Sequence, residues 1–306
     1  MVGFFTLTIR SRSDHSIIRQ LFFKNTTLDE GLNEFGLNKS FEDSTARCWL
    51  GLNTIPPTQT DTLNTMNVAG NYINSGNDRE VSWQNNNEYI RFRNYYHFTP
   101  TQNIGGVSLA EIGVGFTTNK LLARTLIKDE VGNPASITWL ATEYLDVMYD
   151  LHVYPSLIDK NGNLPLGSDT YAYTIRACNI GSSLSSSSAG WRSKIIPRVC
   201  YFSSDINLSS KNNYPSSGGF RNSYVVHAYI QNSFEANVDF TFIKANANLP
   251  NGLSVFSFSD STSLFEPVFQ IQYVKQGASV PIFQNNIAKT SSNELTLSIK
   301  IIWGRH

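Results

Sequence analysis

Tyr144-Leu145-Asp146-Val147-Met148-Tyr149-Asp150-Leu151-His152-Val153 is the stretch from which the fold class follows. Leu145, Val147, Tyr149, Leu151 and Val153 alternate strictly with Tyr144, Asp146, Met148, Asp150 and His152. Successive side chains of a strand point to opposite faces, so one face of this segment is apolar and the other polar. That is the signature of a half-buried strand in an antiparallel sheet; a parallel strand covered on both faces has no reason to alternate. The pattern returns at the end of the chain, where Leu295, Leu297, Ile299, Ile301 and Trp303 are set against Thr296, Ser298 and Lys300.

Upstream, residues 4–9 and 17–23 are apolar and rich in aromatic or β-branched side chains, and with the polar turn at Ser13-Asp14 they read as a hairpin. Thr27 and Glu30 are spaced as a capping box, Leu28, Leu32 and Phe35 share one helical face, and Gly36 supplies a stop. One short helix is expected there, weakened by Gly31. Residues 53–77, dense in Pro, Thr, Asn and Gly, read as a long loop or irregular arm. Residues 89–93 alternate, and 109–116 form a strand-like run in which Gly113 and Gly115 mark a bulge or a close backbone approach.

Val131-Gly132-Asn133-Pro134 and Lys160-Asn161-Gly162-Asn163 signal turns, the second through its Asn-Gly pair. Further strands are expected at 171–177, 224–230, 238–243, 253–258 and 268–274, with loops at 181–190 and 207–219. The sum is a mainly β chain, an antiparallel sandwich or barrel with one short N-terminal helix. A division into an N-terminal β domain over 1–158 and a loop-rich second region over 159–306, completed by the last strand, fits the length, as does one continuous domain.

Lys plus Arg number 24 and Asp plus Glu 24, so no net charge draws the chain to phosphate backbones or anionic membranes, and nucleic acid is not an expected partner. No apolar run approaches the roughly 18 residues of a membrane span, and the start Met1-Val2-Gly3-Phe4-Phe5 carries no secretory pattern, so a soluble chain assembled in a reducing cytoplasm is expected. Cys48, Cys178 and Cys200 are odd in number and lack CxxC spacing, which argues for small buried thiols over a disulfide framework or a zinc site.

Motifs for chemistry are missing. Neither Gly181-Ser182-Ser183 nor Gly277-Ala278-Ser279 completes a nucleophile elbow, and there is no phosphate-binding Gly-rich loop and no HExxH. His152 shares a strand face with Asp150 and Asp146, which in principle offers metal ligands; a solvated or subunit-facing polar strand is the simpler reading. Arg91, Arg93, Tyr89, Tyr95 and Tyr96 mix basic and aromatic groups, and a subunit contact suits them better than base stacking. A glycosidase needs two facing carboxylates, and spacing does not say which acids converge. No catalytic, cofactor or metal-binding residue is assigned.

Three stretches carry a resemblance. The first is Lys24-Asn25-Thr26-Thr27-Leu28-Asp29-Glu30-Gly31-Leu32, with Asp43-Ser44-Thr45-Ala46-Arg47-Cys48 and Pro56-Pro57 following. The second is Ala110-Glu111-Ile112-Gly113-Val114-Gly115-Phe116, continuing through Ala123-Arg124-Thr125-Leu126-Ile127-Lys128-Asp129 and Gly132-Asn133-Pro134 to residues 145–151. The third is the ending on Trp303-Gly304-Arg305. Over residues 1–155 and the C-terminal strand the chain resembles poorly characterised tail or virion structural proteins of tailed bacteriophages. The resemblance implies a non-enzymatic collar, sheath, baseplate or fibre-anchoring subunit of the virion tail, partnered by other tail subunits and by copies of itself. The alternatives are a tail-tip or fibre protein that binds a host surface receptor through the central loops and, behind it, a polysaccharide-degrading tail enzyme.

Overall fold

The computed structural model describes residues 1–37, 39, 45–73, 79–84, 89–99, 106–154, 156, 158–177, 198–202, 219–220, 223–245, 248, 253, 255–259, 269–277 and 287–306. The expected serine-rich loop, most of the 207–219 loop and Cys178 lie outside them. The chain divides into two compact units. The first comprises 1–154, 230–234 and 303–306, and the second 155–229 and 235–302.

The first unit contains β1 (Val2–Ser11), β2 (Ile17–Lys24), β3 (Thr26–Thr27), α1 (Asp29–Gly36), β4 (Arg47–Gly51), β5 (Val68–Ile73), β6 (Arg79–Gln84), β7 (Tyr89–Phe98), β8 (Ser108–Leu109), β9 (Glu111–Gly115), β10 (Leu121–Leu126), β11 (Ile137–Thr138) and β12 (Glu143–Val153). All strand pairs are antiparallel. One five-stranded sheet runs β2-β1-β12-β7-β6 and another β3-β10-β9-β4-β5, in a sandwich-like, mainly β architecture.

β12 is central to the first sheet. Leu145, Val147, Tyr149 and Leu151 are buried, as the alternation requires, together with Phe5, Leu7 and Ile9 of β1 and Phe92, Tyr96 and Phe98 of β7. Hydrogen bonds tie this inner face to the second sheet. Asn94 Nδ2 and Tyr96 Oη donate to the Thr45 carbonyl just before β4, and Asn25 Nδ2, between β2 and β3, donates to Tyr149 Oη at 3.1 Å. The expected hairpin is β1–β2, with a register shift that leaves Ile18 as the extra residue.

α1 buries Leu32 and Phe35 and follows buried Leu28, but the capping box does not form. Leu28 is the N-cap and makes no side-chain cap bond, while Glu30 is taken by Lys120 Nζ at 3.0 Å and the Leu121 amide at 2.8 Å. Gly36 lies inside the helix, whose C-cap is Leu37. The glycine that weakens the helix has a packing reason: a Cβ on Gly31 would collide with the Leu122 backbone. The expectation for 109–116 also holds, since a Cβ on Gly115 would strike the Lys120 carbonyl and the β9–β10 register shifts beside it. The supposed irregular arm contains β5 and a short 3-10 turn, Leu63–Thr65, so it is partly a paired strand.

The second unit contains β13 (Lys160–Leu166), β14 (Asp169–Ala177), β15 (Arg198–Phe202), β16 (Gly219–Phe220), β17 (Ser223–Val226), β18 (Glu235–Phe242), β19 (Val255–Ser259), β20 (Phe269–Lys275) and β21 (Leu295–Ile302). Its sheets run β13-β14-β20-β19-β15-β16 and β17-β18-β21. The Asn161-Gly162 turn is not there: both residues lie within β13, and the chain reverses at Gly167 with φ near +62°. Pairing of β13 with β14 over Lys160–Ile175 to Leu166–Asp169 outweighs the local turn preference. The strand expected over 224–230 ends at Val226.

Candidate interaction surface

The outward face of the first sheet gathers the polar and aromatic side chains of β1, β2, β7 and β12 that alternate with the buried ones. Register places Phe4, Asp150 and Arg93 in one cross-strand row, Phe22, Thr6, Met148 and Tyr95 in the next, and Gln20, Thr8, Asp146 and His97 in a third. Directly opposed residues in an antiparallel pair lie within reach of each other, so each row becomes a contact. Asp150 accepts from Arg93 Nε and Nη2, both at 2.7 Å, in the two-pronged geometry that suits guanidinium and carboxylate. Asp146 accepts from Arg10 Nε at 2.9 Å and meets His97 Nδ1.

His152 lies between two rings, stacked on Tyr89 with centroids 4.1 Å apart and tilted against Phe4 at 5.0 Å. Burial pushes its pKa below the ordinary value; Asp150 opposes this, and Arg91 and Arg93 reinforce it. The three groups that offered a metal site are therefore parted: Asp146 and Asp150 each serve an arginine, and His152 sits in an aromatic stack. Among the described residues no group of three His, Cys, Asp or Glu is arranged to hold a metal. The basic and aromatic cluster is also divided. Arg91, Arg93 and Tyr95 occupy the outward face, whereas Tyr96 points inward, is buried, and bonds Thr45.

The apolar part of this surface lies along β2. Phe22 is 65% exposed and stacks on Phe4 with centroids 5.6 Å apart, and Ile17 and Ile18 are 53% and 54% exposed. Arg19 extends to Glu130, with Nε to Oε1 at 3.1 Å, and exposed Val131 follows that carboxylate. The arrangement presents rings, aliphatic groups and paired charges on one surface.

A buried ionic cluster lay beyond sequence reasoning. Arg124, 1% exposed, donates through Nε to Glu111 Oε2 at 2.7 Å, through Nη1 to Asp61, and through Nη2 to the Ile55 carbonyl at 3.1 Å. Glu111, fully buried, accepts the amides of Asn53 at 3.0 Å and Asn67 at 2.9 Å through its other oxygen. Burial raises the Asp61 pKa, but bonds from Thr58 and Arg124 outweigh it and hold the carboxyl below its usual range. Each of the three groups is hydrogen-bonded, the two carboxylates sharing one guanidinium and taking backbone amides as well, so the cluster pins the 52–67 segment to β9 and β10. A cation inside the apolar run Leu121-Leu122-Ala123-Arg124 was the available signal.

The chain end also belongs to the first unit. Trp303 Nε1 donates to the Leu32 carbonyl at 2.9 Å, and Arg305 bonds the Thr27 carbonyl at 2.8 Å and the Asp29 carboxylate. No helix among the described residues is long and apolar enough to cross a membrane. No family model, curated protein or solved structure matches the chain.

Proposed function

We propose that the chain is a structural subunit of a bacteriophage tail, a collar, sheath, baseplate or fibre-anchoring component that acts through protein contacts in the virion and not through catalysis. The motif resemblance supplies the location. One structural observation supports the assembly role: the sheet centred on the resembling stretch 145–151 carries an aromatic and aliphatic strip at β2, with Phe22, Ile17 and Ile18 exposed. Large exposed side chains grouped on one edge favour a macromolecular partner.

A second observation agrees with it. The resembling stretches are distant in sequence yet meet in one unit, where Glu111 pairs with Arg124, and Trp303 and Arg305 bond the α1 region. A shared docking unit built from shared motifs is what a family of tail subunits requires. Mass spectrometry of purified virions, with an electron-microscopy map of the tail, tests the reading: the chain is expected at a defined tail position, and purified virions without it overturn the proposal.

A further inference from the structure

β2 is a sheet edge. It pairs with β1 on one side, and among the described residues no strand pairs with its other side. Up to Phe23 the strand offers a row of backbone donors and acceptors, flanked by exposed Ile17, Ile18 and Phe22, while at its end the Lys24 carbonyl accepts from Thr125 Oγ1 at 3.5 Å. Such an edge is a template for one more strand. Its cations do little to block pairing, because Arg19 is matched by Glu130 and Lys24 stands at the end of the strand.

We infer that this edge pairs antiparallel with β2 of a second copy, about a two-fold axis at Gln20. An axis perpendicular to the sheet keeps each face on its own side, so residues of like facing oppose one another. Centring on Arg19 would set two guanidiniums against each other. Centring on Gln20 faces amide with amide and brings each Phe22 onto the Ile17–Ile18 bulge of the other copy.

Charge selects the same arrangement. The β1–β2 turn holds exposed Asp14, whose carboxylate accepts from the Ser16 amide and hydroxyl, and Arg12, whose guanidinium is turned back onto the Ala141 carbonyl at 3.1 Å; the far end of β2 holds exposed Lys24. Counting through the bulge, antiparallel pairing sets Lys24 of each copy beside the Asp14 turn of the other. A parallel pairing would set like ends together. The strand is complementary to itself in apolar pattern and in charge, and a second copy of this chain therefore fits it. Two five-stranded sheets become one of ten strands. The inference names one partner for the assembly role proposed above and rests on that reading only for its biological setting.

Sedimentation of the full chain over a concentration series tests it. The unaltered chain is expected to form dimers, and Phe22→Lys to weaken dimerisation by roughly tenfold or more, since it removes two apolar contacts and adds two cations. Gln20→Cys adds a measurement that survives any folding defect of the first variant. Opposed Cα atoms in an antiparallel pair lie about 4.5–5.5 Å apart, within disulfide range, so mild oxidation is expected to give a covalent dimer. Val225→Cys, on exposed β17, is the control. A chain that stays monomeric at every concentration, or Gln20→Cys that cross-links no more than the control, overturns the inference. A dimer absent from virions overturns the tail reading alone; a monomer found in tails overturns the pairing alone.

Discussion

The two five-stranded sheets of the first unit solve the same burial problem differently. In β12 of the first sheet Leu145, Val147, Tyr149 and Leu151 are buried and the residues between them turn to the outward face, whereas β9 and β10 of the second sheet are buried at every position. Both sheets carry arginine beside carboxylate. On the outward face Arg93 and Asp150 are partly open to water, with side chains 19% and 10% exposed; in the doubly covered sheet Arg124 and Glu111 are sealed. The lesson is about desolvation. A pair with an edge open to water leaves its remaining charge partly hydrated when one partner is lost, while a sealed one leaves it stranded.

The sharpest way to break the contrast is Arg124→Leu, which strands Glu111 and Asp61 and is expected to cost about 3–5 kcal/mol. Urea denaturation followed by tryptophan fluorescence, to which buried Trp49, Trp139 and Trp303 of this unit contribute, reads the change, and a loss near zero would show that the cluster does not hold the 52–67 segment. Asp150→Asn removes one charge from the outward pair and keeps the shape; about 1–2 kcal/mol is expected from the same experiment. A cost equal to that of Arg124→Leu would erase the distinction between the sheets.

The smallest effect concerns His152. Its folded pKa lies below its ordinary value, so the unfolded chain takes up the proton first as pH falls. Stability is therefore full above about pH 6.5 and declines as pH drops through the folded pKa. Asp61, held low, contributes in the opposite part of the range, with stability present above about pH 4 and lost below it. Denaturation midpoints between pH 4.5 and 7.5 (roughly the His window) are expected to slope less for His152→Phe than for the unaltered chain, the remaining slope coming from the Met1 amine, which burial lowers to about 6. An unchanged slope in the variant would assign the titration to another group.

Much of the first sheet was legible because alternation is a local property. Each second residue of β12 faces the core whatever lies across from it, and the β1–β2 hairpin needs only a short polar turn between two apolar runs. The helix was legible by its apolar face and misread at its start, since Glu30 is claimed by Lys120 and Leu121, about 90 residues on. The Asn161-Gly162 turn failed for a similar reason: a local preference worth little yields to seven paired positions with β14.

By itself, then, the sequence determined the fold class, the single short helix and which face of β12 is buried, because hydrophobic periodicity acts through neighbours along the chain. Tertiary structure alone decided which charges meet. Asp61 and Glu111 reach Arg124 from 63 and 13 residues away, and Arg305 reaches Asp29 from 276. Those partnerships depend on sheet order and register, which no short window of residues contains, and β2 is an edge only because, among the described residues, the sheet order ends on it.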